Sequence, residues 1–400
     1  MDADAIIVGG GLTGPLAALS LSRAGLRCVV LDAAPRPERA GFDGRTYALA
    51  LASVRVLRAL GVWGRVEAPE AIRGIRASDG RPGEGASGLH LRFDAEAIGA
   101  PYMGQMVEDR HLRHALLAAC DAAPRIEMRF GAEVAGQVAD VGGVSVTLSD
   151  GAVLRAPLLI GCDGRASGVA ARAGLRRQVK RYGQTALTCA VAHERPHEGI
   201  AHQLFLPAGP LAILPLTESR SSLVWTEADD VAHDVATLPE DDYLDVLRPR
   251  FGSFLGDIAL VGARGSYPLT RSYAQDLVAD RTALAGDAAH GIHPIAGQGL
   301  NLGFKDVAAL ADVQSEARRR GEDPGAAPVL ARYARWRRFD AAQMGIATDA
   351  VNALFSNDDP VLRGLRRIGM GAVDAMDGLK RRFIREAAGI AGDLPELMRG

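Results

Sequence analysis

Residues 281–306 read RTALAGDAAHGIHPIAGQGLNLGFKD, and the fold follows from how this stretch is understood. Apolar Ala283, Leu284 and Ala285 predict a short buried strand that runs out at Asp287. Gly291, Gly297, Gly299 and Gly303 then remove side-chain bulk and Pro294 stiffens the turn, as a segment needs where main chain must come close to a flat ligand. From Asn301 onward, Leu302, Lys305, Asp306 and Ala309 fall at helical spacing. The first N–H groups of that helix would therefore face whatever fills the loop.

Two plainer readings compete. GDAAH can be the strand-to-helix loop of any α/β protein. Asp287, His290 and His293 can also be taken as a carboxylate with two imidazoles, the ligand types of a non-haem iron site. The flanking Gly and Pro fit a cofactor loop better than a metal site, no second ligand cluster accompanies it, and a flavin is the occupant the pattern suggests.

The N-terminus supplies the partner motif. Residues 5–8 predict a strand, followed by Gly9-Gly10-Gly11-Leu12-Thr13-Gly14 and an apolar helix over 12–24 closed by Gly25. G-x-G-x-x-G thus stands in the strand-to-helix context that accepts a pyrophosphate. Pro15 falls in the first helical turn, where a missing N–H costs little. A second strand over 27–31 ends at Asp32, near the offset at which a carboxylate accepts a hydrogen bond from an adenosine ribose. Alone, this motif divides between FAD and NAD(P). With the 286–303 loop it points to FAD.

The run HPIAGQGLNLGFKDV, the glycine turn at 9–14, the D-x-R-x-x-A-L pattern from Asp43 to Leu49 and the turn Gly161-Cys162-Asp163-Gly164 together resemble the class A flavoprotein monooxygenases, which share the para-hydroxybenzoate hydroxylase fold. The branch most similar hydroxylates an aromatic ring during ubiquinone biosynthesis, and the likeness covers essentially the whole chain. It implies an α/β architecture: a discontinuous Rossmann-like FAD-binding domain (1–71, 102–183 and 269–345), an inserted β-sheet substrate domain (72–101 and 184–268) and a helical C-terminal tail (346–400). It implies that FAD is held by Gly9, Gly11, Leu12, Thr13, Gly14, Asp32, Arg45, Gln105, Arg110, Asp163, Gly286, Asp287, Pro294, Gly297, Gln298, Gly299, Leu300 and Asn301. Without the resemblance, Arg45 reads as a surface arginine, Gln105 and Arg110 as polar residues at a helix start, and Asp163 as the holder of an Asx turn.

The chemistry implied is reduction of FAD by NAD(P)H, addition of O2 to give a flavin C4a-hydroperoxide, and attack on it by the ring of a polyprenylated phenol. The protein would aim the ring and exclude water. No residue is singled out as catalytic acid or base, and no metal is expected. A flavin-dependent reductase or dehydrogenase of the same fold, or a non-catalytic flavoprotein scaffold of a ubiquinone-biosynthesis complex, are the alternatives.

Elsewhere the pattern predicts a helix capped near Ser53 with Val54, Leu57 and Leu60 on one face. A hairpin follows over 72–93 around DGRPGEG, then a helix over 107–119 with Leu112, Leu116 and Ala119 inward. Strands are expected at 126–130, 133–138, 144–148, 158–162, 186–192, 202–206, 211–216 and 222–226, with a helix cap at Ser167 and a helix over 240–251. His202, Gln203, Trp225 and Tyr267 are candidates for a substrate wall, and equally for core or surface. Arg332, Arg335, Arg337 and Arg338 read as a solvated face. The basic amphipathic stretch over 361–385 either packs on its own protein or lies on an anionic membrane surface.

Four hundred residues, 48% of them hydrophobic, are ample for two domains, and a net charge of −2 gives no reason to expect nucleic acid. Cys28, Cys120, Cys162 and Cys189 lack C-x-x-C spacing and read as reduced thiols. With no secretory n-region and no apolar run of spanning length, the expected location is cytoplasmic, with at most peripheral attachment to the membrane.

Overall fold

The computed structural model describes residues 1–38, 41–83, 85–291, 297–355 and 360–400, apart from the side chains of 85–89, 341–348, 350–353, 360–365 and 367–368. Its organising layer is a six-stranded sheet in the order Val278–Ala279, Thr282–Leu284, Leu158–Gly161, Ala5–Val8, Cys28–Asp32, Ile126–Phe130. All neighbours in it are parallel except the first pair. Ala5–Val8 is a continuous apolar run buried along its whole length, as a central parallel strand covered on both faces must be. Val8 is level with both Leu31 and Gly161, so three strands end together beside the first glycine turn. Open α/β sheets bind ligands at that carboxyl edge.

An eight-stranded sheet carries the second layer, in the order His290–Gly291, Ile258–Ala274, Arg177–His193, Arg220–Ala228, Gly209–Leu216, Ile200–Leu206, Gly74–Arg81, Gly85–Asp94. Strand alternation divides its residues. Leu204, Leu211, Leu223 and Trp225 pack with Tyr243, Leu247 and Phe251 of the helix Glu240–Phe251. Phe205, Ala212, Leu214 and Val224 look the other way, into a cavity. A three-stranded sheet of Thr46–Ala50, Gly104–Glu108 and Glu70–Ile72 stands between the two larger sheets in sequence, and a further one comprises Val134–Asp140, Gly143–Leu148 and Val153–Ala156.

The expected hairpin, the strands at 126–130 and 144–148, the Ser167 cap and the inward Leu112, Leu116 and Ala119 are all present. Several local expectations need correction. The strand before the Gly-Asp turn stops at Leu284, and Gly286–Ala288 is a 3-10 turn. The following helix, Gln298–Arg319, begins at Gln298 rather than Asn301. Residues 46–50 form a strand, so the next helix is Leu51–Ala59, and Ser53 lies buried inside it instead of capping it. Ile258–Ala274 is a seventeen-residue strand that the pattern did not announce, because Gly262, Gly265 and Pro268 interrupt its alternation.

The C-terminal helices are Ala327–Phe355, Pro360–Ala375, Asp377–Ala387 and Glu396–Arg399. Arg337 is not part of a solvated face: its side chain is 0% exposed, paired with Asp306 and Asp340. The 361–385 stretch divides as well. Arg366, Met370 and Ile384 are buried, whereas Met376, Arg381, Arg382, Phe383 and Arg385 face outward. Among the described residues, no helix is long and apolar enough to cross a membrane. All four cysteines are free, and burial pushes the thiols of Cys28 and Cys120 up to about 12.

Candidate cofactor and substrate site

The two glycine turns meet. Gly9 has φ +109°, and a Cβ there would stand 2.3 Å from the Cys162 carbonyl oxygen, so only glycine lets the first turn pass under the 161–164 loop. A Cβ on Gly14 would lie 1.8 Å from the Gly9 carbonyl oxygen, which fixes the packing of the helix Thr13–Arg23 on its strand. At Gly11 nothing lies within 4 Å. That space adjoins a helix start at Leu12 and Thr13 with no side-chain cap, where free N–H groups and the helix dipole favour an anion. Asp32 accepts hydrogen bonds from the Gly10 and Ala34 amides, which ties the second strand to the turn.

From the other side, a Cβ on Gly286 would lie 3.0 Å from Thr13 Oγ1, and one on Gly303 would lie 3.0 Å from the Gly286 Cα. Gly297, with φ +63°, opens the helix Gln298–Arg319 with no side-chain cap, so a second helix start faces the same space. Asn301 staples this helix start to the neighbouring strand. Its Nδ2 donates to the carbonyls of Ala48 (2.9 Å) and Gly297 (3.0 Å), and its Oδ1 accepts from the Ala50 amide (2.8 Å) and the Ser53 hydroxyl (2.7 Å).

Gly11, Leu12, Thr13, Gly286, Asp287, Gly297, Gln298, Gly299, Leu300 and Asn301 all line one cavity of about 1040 Å³. Asp287 pairs with Arg165 (3.2 Å), and its carbonyl accepts from Arg177 (3.0 Å). Other candidates stand back from the lining. Arg45 is engaged by Asp43 at 2.7 Å. Gln105 is buried in its strand, and Arg110 donates to Glu108 at 2.7 Å. Both oxygens of Asp163 are taken, by the Ser167 hydroxyl (2.5 Å) and the Val169 amide (2.9 Å). Pro294 and His293 lie outside the described residues. His290 is turned onto Asp306, and among the described residues no group of side chains is arranged to hold a metal ion.

Arg113 was not anticipated. It lies three residues beyond Arg110 on the helix Asp109–Asp121, held by Asp109 at 3.1 Å, and lines the cavity where Arg110 does not. Both fall on the same basic run, and only the start of the helix decides which faces inward. Arg165, Tyr47 and Arg366 also line the cavity and carried no distinguishing signal.

Of the four wall candidates, His202, Gln203 and Tyr267 line the cavity. Trp225 does not: it is fully buried on the opposite face of the sheet, donating to Glu227 at 2.9 Å. Burial, with smaller contributions from Arg76 and His90, pushes the pKa of His202 down to about 4, so its imidazole is neutral near pH 7. Burial likewise raises that of the Tyr267 phenol.

An extended dinucleotide that places a flat ring among apolar walls suits this arrangement: two uncapped helix starts, an empty cradle at Gly11 and main chain bared by glycine. Over residues 2–341 the chain matches the family described as FAD binding domain. It is 46% identical to ubiquinone hydroxylase UbiL of Rhodospirillum rubrum over 406 residues, covering 100% of this chain and 93% of that protein. It is 36% identical to 3-demethoxyubiquinol 3-hydroxylase of Escherichia coli, covering 96% of this chain and 98% of that protein. Among solved structures, p-nitrophenol 4-monooxygenase PnpA from Pseudomonas putida has the same fold, with a TM-score of 0.81 at 20% identity over 97% of this chain and 98% of that one. The glycine turns, the sheet they join and these likenesses agree: the chain belongs to the FAD-binding-domain family.

Proposed function

We propose that this protein is an FAD-dependent monooxygenase that hydroxylates the aromatic ring of a polyprenylated phenol in ubiquinone biosynthesis, with NAD(P)H as electron donor and O2 as co-substrate. The observation that carries this reading is the contact of the Gly286 turn with Thr13, which joins two distant glycine turns at one end of a single apolar cavity. The names of the Rhodospirillum and Escherichia relatives support the substrate class. On this reading the six-stranded sheet is the core of the FAD-binding domain and the eight-stranded sheet that of the substrate domain.

FAD, when bound, supplies the activation of O2 that side chains cannot. The chain's own residues bind, orient and exclude water. Gly11 and the uncapped start of the Thr13–Arg23 helix receive phosphate charge. The uncapped start of Gln298–Arg319 would face the ring and favour negative charge there. His202, neutral, and Gln203 and Tyr267 offer hydrogen bonds to a phenol. Beyond them Val224, Leu214, Phe205, Ala77 and Phe93 come from five successive strands. Four interstrand steps make an apolar path of roughly 19 Å, room for a hydrocarbon tail as well as a ring.

Titration of the purified protein with FAD, followed by NAD(P)H oxidation and O2 uptake with and without a prenylated phenol, tests the proposal. Phenol-stimulated O2 uptake is expected. FAD binding without it would leave the reductase reading standing, and absence of FAD binding would end both.

The reading extends to a cytoplasmic enzyme resting on the membrane surface. Met376 and Phe383 are 56% and 44% exposed beside outward Arg381, Arg382 and Arg385, and Phe383 also lines the cavity. Replacing all three arginines by glutamate should weaken sedimentation with anionic vesicles by about 1 kcal/mol for each lost positive charge. Unchanged sedimentation would remove the membrane contact. Substitution is cleaner than truncation at 361, because Ile384, Ala388, Leu397 and Met398 are part of the core.

A further inference from the structure

The turn from Gly286 to His290 is held by a carboxylate that does not line the cavity. Asp306 Oδ2 accepts the Gly286 amide hydrogen at 3.0 Å. The same oxygen stands 2.9 Å from His290 Nε2, without the alignment of a hydrogen bond. Asp306 therefore touches both ends of the turn. Its other oxygen accepts from Arg337 Nε at 2.8 Å, and both side chains are 0% exposed. Arg337 donates onward to Asp340 (2.6 Å), which also pairs with Lys305 (2.6 Å). The carboxylates and cations balance, and burial holds His290 neutral.

A buried ion pair is a poor source of stability, since apolar side chains of similar volume commonly do as well or better. What apolar replacements lack is direction. Gly303 and Asp306, three residues apart on one helix face, both press on the Gly286 segment, Gly303 by bare backbone contact and Asp306 by hydrogen bond. Arg337, from the next helix, fixes where that carboxylate points.

We infer that Asp306 and Arg337 are positioning residues for the cofactor loop, a clamp that holds the 286–290 turn in its ligand-ready shape before FAD arrives. The inference rests on the reading of that loop as part of the FAD site. Its test uses the full chain in four variants, D306N, R337Q, the double variant D306N/R337Q and R337K. The readouts are amide hydrogen exchange over 286–291 in the apoprotein and the FAD dissociation constant.

Each of D306N and R337Q takes one charged partner from a buried group, and is expected to speed exchange in the turn and weaken FAD binding about tenfold. The double variant restores an uncharged hydrogen-bonded pair and should return both readouts to within about threefold of wild type, with R337K intermediate. Folded single variants that exchange and bind like wild type would overturn the clamp. So would a double variant that is no better than the singles or fails to fold. If the singles do not fold, R337K and the double variant decide on the same readouts. Should the wild type itself not bind FAD, the cofactor reading fails, while exchange in the apoprotein still tests the clamp.

Discussion

Gly11, Gly286 and Gly297 meet the cavity with main chain, whereas Val224, Phe205, Ala77 and Phe93 meet it with side chains. The first end is made of two short runs, which follow the strands Ala5–Val8 and Thr282–Leu284 of one sheet. The second gathers single residues from five strands and is faced by Met370 and Val373 of the helix Pro360–Ala375. Recognition by backbone needs bare main chain at a few adjacent positions, and so concentrates in sequence. Recognition by an apolar wall needs only bulk and the right strand face, and so disperses.

The largest effect that would separate the two ends is expected at the side-chain end. Arg366 and Asp79 form an ion pair at 3.0 Å, each side chain 2% exposed, joining Pro360–Ala375 to the strand Gly74–Arg81. Arg366→Met should lower stability by about 3–5 kcal/mol in urea unfolding, because it breaks a buried ion pair by removing one partner. FAD affinity of the folded fraction should stay within about twofold of wild type, as for independent sites. A parallel loss of FAD affinity would mean that the two ends are one unit.

A smaller effect lies between the ends, at His202. The unfolded chain protonates this imidazole near 6.5, while the folded chain resists until about 4. The unfolded state therefore binds more protons in that window, and stability falls as pH drops through it while staying level above it. The contribution is roughly 2–3 kcal/mol across the window. His193 and His290 are also held neutral by burial and slope the same way, so His202→Gln should reduce the acid-side slope without abolishing it. Thermal or urea unfolding between pH 4 and pH 7 measures it, and an unchanged slope would show that His202 is solvated.

The smallest effect belongs to the backbone end. A methyl group on Gly11 meets nothing within 4 Å, so Gly11→Ala should leave stability within about 0.5 kcal/mol. It would nonetheless occupy the space in which a pyrophosphate approaches, and should weaken FAD binding about tenfold, or about 1.4 kcal/mol. Wild-type affinity in this variant would show that the first turn does not bind by close approach.

The same contrast explains what the sequence made legible. Ala5–Val8, its glycine turn and the helix behind it are each signalled locally, and the residues of both turns come together as their spacing implies. Trp225 and Val224 are adjacent, yet one packs beneath the sheet and the other faces the cavity; nothing in the run SSLVWTEA fixes which. Arg110 and Arg113 differ by three residues on a helix, and the outcome hangs on whether 107–108 belong to a strand. Arg337 looks like its neighbours Arg335 and Arg338 in a basic run, and only the position of Asp306 on another helix draws it inside. Each of these depends on where a second element docks, which local pattern does not carry.

Strand order also bears on how the molecule is made. Ala5–Val8 sits between Cys28–Asp32 and Leu158–Gly161, the Ala52 amide donates to the Ala388 carbonyl, and Arg55 reaches the carbonyls of Met398 and Arg399. A ribosome emits the sheet's central strand long before one neighbour exists, and the segment that closes on the Leu51–Ala59 helix comes much later. The growing polypeptide must carry sticky, half-paired strands through most of translation, when aggregation competes with folding. Flavin loading then waits until the segment with Phe383 and Ala387, which line the cavity, has been made.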